Sequence, residues 1–306
     1  MENTTAAILL ASLLERIERD QAIGATSSHE RQALRLAVQA LGGDEPPLPP
    51  TPQALAVRAL PVEELIKKLP SVSLVLSSIQ REETTAPDAL MCLDFGTAMS
   101  KAFASIFPDE HLDLALGAAA GRDGYALPSS IFIADDCKAY FGFEALEMSQ
   151  GLEGSGRERL DSIKGWISLQ QEGSLDGEAN VLSKAMNPSD VKLTQGDLLL
   201  IYLAYFTDVA ELALKTHVAE PRYMKRRYAR PCWPDSKAKW GDNLMRRMLA
   251  EAQVLADTFS GSWTGGIDVA VLKDAVEQVK KLDRRPDYLI DEGVPEPVAV
   301  AAGAFS

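Results

Sequence analysis

Met91-Cys92-Leu93-Asp94-Phe95-Gly96-Thr97-Ala98-Met99-Ser100-Lys101 is the stretch on which the reading of this chain turns. An apolar run ends in an acid, a Gly-Thr pair follows, and a second run, residues 102–107, leads away. That order predicts a strand, a tight turn and a returning strand. A strand that ends in Asp sets a carboxylate at a sheet edge, where hydrated Mg²⁺ can sit. Gly96 lets the backbone turn sharply enough for consecutive amides to face phosphate oxygens, and the Thr97 hydroxyl can donate to the same group. An ordinary glycine turn between two strands is the other reading of these residues, because short glycine motifs recur widely.

Composition narrows the field. A chain of 306 residues accommodates one large domain or two. A net charge of −13 argues against a nucleic-acid partner, which needs a basic surface. The one dense basic cluster, Lys225-Arg226-Arg227 with Arg222 and Arg230 nearby, reads as a solvated edge strand. The three cysteines, Cys92, Cys137 and Cys232, are too widely spaced for a disulfide framework or a zinc site. Cys92 is expected to pack as a small apolar residue within its strand. Free thiols point to a reducing compartment, most simply the cytoplasm. His29, His111 and His217 have no partners at catalytic spacing. Ala6–Leu14 is apolar but is flanked by Glu2 and by Glu15-Arg16, which is not the pattern of a leader. Leu198–Phe206 is too short to span a bilayer, so no membrane partner is expected.

The chain divides by pattern into three parts. Residues 1–43 read as a helical hairpin. Thr4 or Thr5 caps a stripe of Leu9, Leu10, Leu13, Leu14 and Ile17. Ser27 and Glu30 stand at capping-box spacing before Leu34, Ala37, Val38 and Leu41, and Gly42-Gly43 ends the second helix. Such a pair must bury its stripe against the main body, another copy or a partner. Residues 44–85 form a proline-rich linker and accessory segment, with a short helix expected over Val62–Leu69 and a strand over Ser71–Ile79. Residues 86–306 mix strands and helices. A long buried helix is expected over Thr194–Lys215, a strand over Arg222–Arg230, a helix over Asp235–Thr258, an added helix over Ile267–Leu282, and a strand at Tyr288-Leu289-Ile290. The added helix is either a partner surface or a lengthened loop.

Asp94-Phe95-Gly96-Thr97-Ala98-Met99-Ser100 resembles the first phosphate loop of the actin-like ATPase superfamily, in its seventy-kilodalton heat-shock chaperone branch. Leu127–Ile133 and Tyr140–Ala145 resemble that branch's Pro-Ser strand and the Gly-x-x-Ala that opens its next helix. Asp161–Ile167 resembles the segment carrying its catalytic lysine. Glu296–Ala301 resembles the Glu-Pro opening of its first interlobe helix. The resemblance implies an α/β fold: an actin-type, ribonuclease-H-like lobe with a mixed sheet and flanking helices, preceded by the N-terminal helical segment.

It also implies ATP or ADP as ligand and Mg²⁺ as cofactor. Asp94 would hold the metal through water, and Gly96, Thr97, Ala98 and Met99 would offer amides to phosphate. Lys164 would place a cation near the terminal phosphate, and Glu296 would orient metal-bound water at the hinge. Each residue has a plainer role open to it: a turn contact for Asp94, a surface site for Lys164, the helix dipole for Glu296. Ala98 departs from the pattern, since many members carry a second hydroxyl there. The second phosphate loop, the second lobe and the adenosine-binding residues are not found. The expectation is therefore the first lobe only: a chaperone-like ATP-binding fragment that hydrolyses ATP when a second lobe completes it. A non-catalytic scaffold and a small-molecule kinase relative are the rival readings of the same fold.

Overall fold

The computed structural model describes residues 72–107, 109–152, 154–169 and 175–295. The expected hairpin of residues 1–43, the helix over Val62–Leu69 and Glu296 with its helix lie outside the described residues. In chain order the helices are α1 (Ser77–Gln80), α2 (Leu116–Ala119), α3 (Gly142–Met148), α4 (Lys164–Leu169), α5 (Gln195–Leu214), α6 (Asp235–Phe259) and α7 (Val269–Lys280). The strands are β1 (Ala89–Asp94), β2 (Met99–Ile106), β3 (Glu110–Asp113), β4 (Leu127–Pro128), β5 (Ile131–Ile133), β6 (Lys138–Phe141), β7 (Lys225–Arg230), β8 (Ile267–Asp268) and β9 (Ile290–Pro295).

The fold is α/β with a mixed sheet. Its strand order is β3-β2-β1-β7-β9, with β4 also paired to β2. The first three strands form an antiparallel meander in which Asp94 stands opposite Lys101. β7 runs parallel to β1 and β9 parallel to β7. Burial alternates along β1: Ala89, Met91 and Leu93 face the core, while Leu90, Cys92 and Asp94 face outward and are half-buried. A second sheet, β5-β6-β8, is fully antiparallel.

α5 is the centre of the core. Leu198 to Phe206 is apolar on every side of the helix, and every residue there is buried. Thr194 caps it. Its hydroxyl accepts from the Asp197 amide at 3.1 Å, and Asp197 Oδ2 accepts from the Thr194 amide at 3.0 Å. No helix among the described residues is long and apolar enough to cross a membrane.

Two expectations are corrected. Lys225-Arg226-Arg227 is not a solvated edge: β7 lies between β1 and β9, and Arg226 turns inward to 0% exposure while its two neighbours stay exposed. Ser71–Ile79 is not a strand, for residues 72–76 carry no regular structure and Ser77 opens α1; the segment lies along α6 and α7 rather than against a sheet. Cys92 lies within β1 before Asp94 as expected, half-buried on the row opposite Met91 and Leu93. The helix expected over Ile267–Leu282 is present as α7, packed into the fold rather than left as a bare loop. β8 extends the small sheet, and α7 buries Val269, Leu272, Ala275, Val276 and Val279.

Candidate functional site

The turn between β1 and β2 is built around Gly96. A Cβ there would stand 1.9 Å from the Met99 carbonyl oxygen, so the chain doubles back too tightly for any side chain. Phe95 anchors the turn from below at 2% exposure, its ring 5.5 Å from that of Tyr202 on α5. Thr97, Ala98 and Met99 are exposed at the tip, and Asp94 is half-buried at the strand end.

A buried hydroxyl network holds the turn from behind. Ser129 Oγ donates to the Gly96 carbonyl at 2.8 Å, and the Ser129 amide donates to the Ala98 carbonyl at 2.9 Å. Ser100 Oγ lies 2.9 Å from Ser129 Oγ. The single proton of Tyr202 Oη is shared between Ser100 Oγ at 3.1 Å and the Pro128 carbonyl at 3.0 Å. Burial pushes the Tyr202 phenol up to about 12, which keeps it a proton donor at any physiological pH. Ser129 belongs to the quoted Pro-Ser stretch, but its role as a clamp on the turn is legible only in three dimensions.

Lys164 reaches this turn from 70 residues away in the sequence. Its ammonium lies 5.9 Å above the Phe95 ring, and the residue is 5% exposed. The approach of α4 is fixed by a dense local scaffold. Leu160 makes an isolated bridge to Ile131 of β5. Asp161 accepts from Ser130 Oγ at 2.6 Å and takes a forked contact from Arg159, Nε at 2.9 Å and Nη2 at 2.9 Å. Ser162 then adopts a left-handed backbone at φ 59, and its carbonyl accepts from the Gly165 amide at 2.8 Å. A non-glycine residue in that region is held only by surroundings that over-determine it. Here they fix the start of α4, whose first residue is Lys164. Gly142, the first residue of the Gly-x-x-Ala, also has a positive φ of 57, and a Cβ there would stand 2.6 Å from Tyr205 Oη.

The structure therefore sets Asp94, Gly96, Thr97, Ala98 and Met99 on one strand end and turn, with the Lys164 ammonium against the buried Phe95 ring of that turn, and leaves Glu296 outside the described residues. The geometry fits a phosphate group better than a bare metal. An exposed glycine turn presents backbone, one half-buried carboxylate stands at its foot, and one cation stands beside it. Among the described residues no group of three or more His, Cys, Asp or Glu is gathered to hold a metal ion directly. A metal here would keep most of its water and depend on phosphate oxygens for the rest. Neither the scan against protein-family models nor the search of curated proteins finds a match to this chain.

Proposed function

We propose that the chain is a chaperone-like ATP-binding protein of the actin-like type, whose β1–β2 turn receives the phosphates of Mg-ATP. The observation that carries the reading is the approach of Lys164 to Phe95 of the turn, two segments about 70 residues apart that carry the same resemblance. The antiparallel meander continued by two parallel strands supports the actin-type lobe, as does the helix that opens at Gly142. On this reading Asp94 holds Mg²⁺ through water, residues 96–99 offer amides to the phosphates, and Lys164 offsets charge on the terminal group. A lone alanine at 98 favours the second reading, a scaffold that binds nucleotide weakly or not at all.

The test is calorimetry with Mg-ATP beside a phosphate-release assay on the 306-residue chain. The expected result is weak binding that needs Mg²⁺, with no appreciable turnover, because the proposed residues touch only phosphate and metal. Asp94→Asn and Lys164→Gln are each expected to weaken binding about tenfold, the equivalent of about 1.4 kcal/mol. Binding that both variants leave unchanged would place the site elsewhere, and no binding at all would leave the scaffold.

A further inference from the structure

Beneath β7 the core is polar where its neighbours are apolar. Arg226 is 0% exposed; its Nη2 donates to Glu211 Oε1 at 3.1 Å and to the Arg222 carbonyl at 3.2 Å. Its Nε and Nη1 have no partner. On α5, Thr207 and Glu211 share one helix face; on α6, Gln253 and Asp257 do the same. Gln253 Nε2 donates to Asp257 Oδ1 at 3.0 Å, but Gln253 Oε1, Asp257 Oδ2 and Thr207 Oγ1 have no partner. Ser78 of α1 closes the centre from outside. Its hydroxyl is close enough to Asp257 to favour the carboxylate without forming a well-aligned bond, so it too is unpartnered. Ser78, Thr207, Arg226 and Gln253 are all 0% exposed.

Unpartnered donors and unpartnered acceptors thus occur together in one sealed place. A cation would satisfy only the oxygens, and an anion only the guanidinium. Water satisfies both, and buried polar groups left over by the protein are where ordered water is found. Charge gives a second constraint. Two guanidiniums, Arg222 and Arg226, act on three carboxylates, Asp208, Glu211 and Asp257. Arg81, Tyr223 and Tyr288 act from the rim, and Arg81 is already paired with Glu220 at 3.3 Å. One negative charge is left over in a medium of low dielectric, and binding a proton removes it.

We infer that this centre is a binding site for ordered water and one exchangeable proton, held between Glu211 and Asp257, and that the proton sets how firmly residues 72–80 are seated. That segment is fastened over the centre by few bonds. Tyr288 Oη donates to the Ser78 carbonyl at 3.1 Å, and the Val75 amide donates to Thr258 Oγ1 at 3.0 Å. Val72 is held through Asp274 and Gln278 of α7. Burial pushes Glu211 up to about 7 against the pull of Arg226, and burial raises Asp257 as well. Opening the segment admits water and returns both acids to their ordinary range. A carboxyl raised in the closed state favours closure at low pH, and that preference is lost as pH rises through the closed-state value.

The experiment is amide hydrogen exchange at Val75, Ile79 and Gln80 in the whole chain at pH 6 and pH 8, corrected for the intrinsic pH dependence of exchange. Protection is expected to fall about tenfold across that interval, the release of one proton centred near neutrality. Glu211→Gln keeps the shape and an acceptor for Arg226 and is expected to flatten the profile; Asp257→Asn is the second variant. A flat profile in the parent, or an unchanged slope in both variants, overturns the inference. Should neither variant fold, magnetisation transfer from long-lived water to the Thr207 methyl in the parent decides: transfer upholds the site and its absence removes it.

Discussion

Gly96→Ala is the most demanding test of the β1–β2 turn. The added methyl would meet the Met99 carbonyl oxygen at 1.9 Å and the carbonyl carbon at 2.9 Å, where ordinary contact begins at 3.4 Å. The obstacle is backbone, so no side chain can swing aside, and the turn itself must move by about 1 Å or more. Movement of that size breaks the Ser129 clamp, in which the hydroxyl and the amide reach the Gly96 and Ala98 carbonyls at 2.8 and 2.9 Å. Losing a buried hydrogen bond costs about 1–3 kcal/mol, and overpacking strain adds about 1–3 kcal/mol. The expected loss is therefore roughly 3 kcal/mol, read as a lower urea midpoint at unchanged slope. Gly165→Ala is the control: nothing lies within 4 Å of its added methyl, and the residue is in α4. That variant is expected to match the parent or gain up to about 1 kcal/mol. If Gly96→Ala unfolds within about 0.5 kcal/mol of the parent, the turn is not sterically locked and the argument from its geometry fails.

The remaining predictions concern the polar anchors of the core and the N-terminal segment. Arg226→Met strands a buried carboxylate at Glu211 and is expected to cost about 3–5 kcal/mol at pH 8 and less at pH 5.5, where the acid is neutral; adding Glu211→Leu should restore most of it in urea unfolding. Burial opposes ionisation of Asp197, but Lys280, Lys273 and the Thr194 amide overcome it and hold the carboxyl below its ordinary value. Its stabilising effect is present above the unfolded-state value and is lost as pH falls through the folded one, so Asp197→Asn is expected to cost about 2 kcal/mol at pH 7 and to flatten the acid limb of a stability profile. Removing residues 1–52, which carry the Leu9, Leu13, Leu34 and Leu41 stripe, is expected to change solution mass by light scattering or lower the melting temperature; a truncated protein identical in both takes away the reason to see a docked hairpin there.

What the sequence made legible was local. The strand, turn and returning strand at residues 91–106 follow from two runs set around an acid and one glycine, and α5 follows from an unbroken apolar run. What it hid was long-range. Three basic residues in a row carry no sign of which one turns inward; Arg226 does because β7 has a strand on either side, and because Glu211, fifteen residues earlier, waits on α5. Alternation over Ser71–Ile79 looked like a strand because a segment lying across two helices can show the same period. The Ser129 clamp joins residues 33 positions apart, and the Asp197 cluster joins α5 to two lysines on the stretch that read as an insertion. Neither can be found by spacing along one element.

The polar anchors share one task, and it explains why they lie on a helix that is apolar on every side through its middle. A helix that is apolar on every side has no preferred rotation, because the burial that holds it is non-directional. Packing complementarity narrows the choice, and hydrogen bonds complete it. α5 carries three side chains that make such bonds along its length. Asp197 ties its first turn to α7 through Lys273 and Lys280, Tyr202 ties its middle to Ser100 and Pro128, and Glu211 ties its last turns to Arg226 of β7. Each anchor fixes a different neighbour, so sliding or turning the helix would break the bonds of all three together and leave buried charge at both ends. The register of α5 in turn fixes the Tyr202 hydroxyl, and with it Ser100, Ser129 and the carbonyls of the β1–β2 turn. The exposed tip at Thr97 and Ala98 is therefore positioned from inside the core, by a tyrosine that touches neither residue in this network and stays protonated throughout.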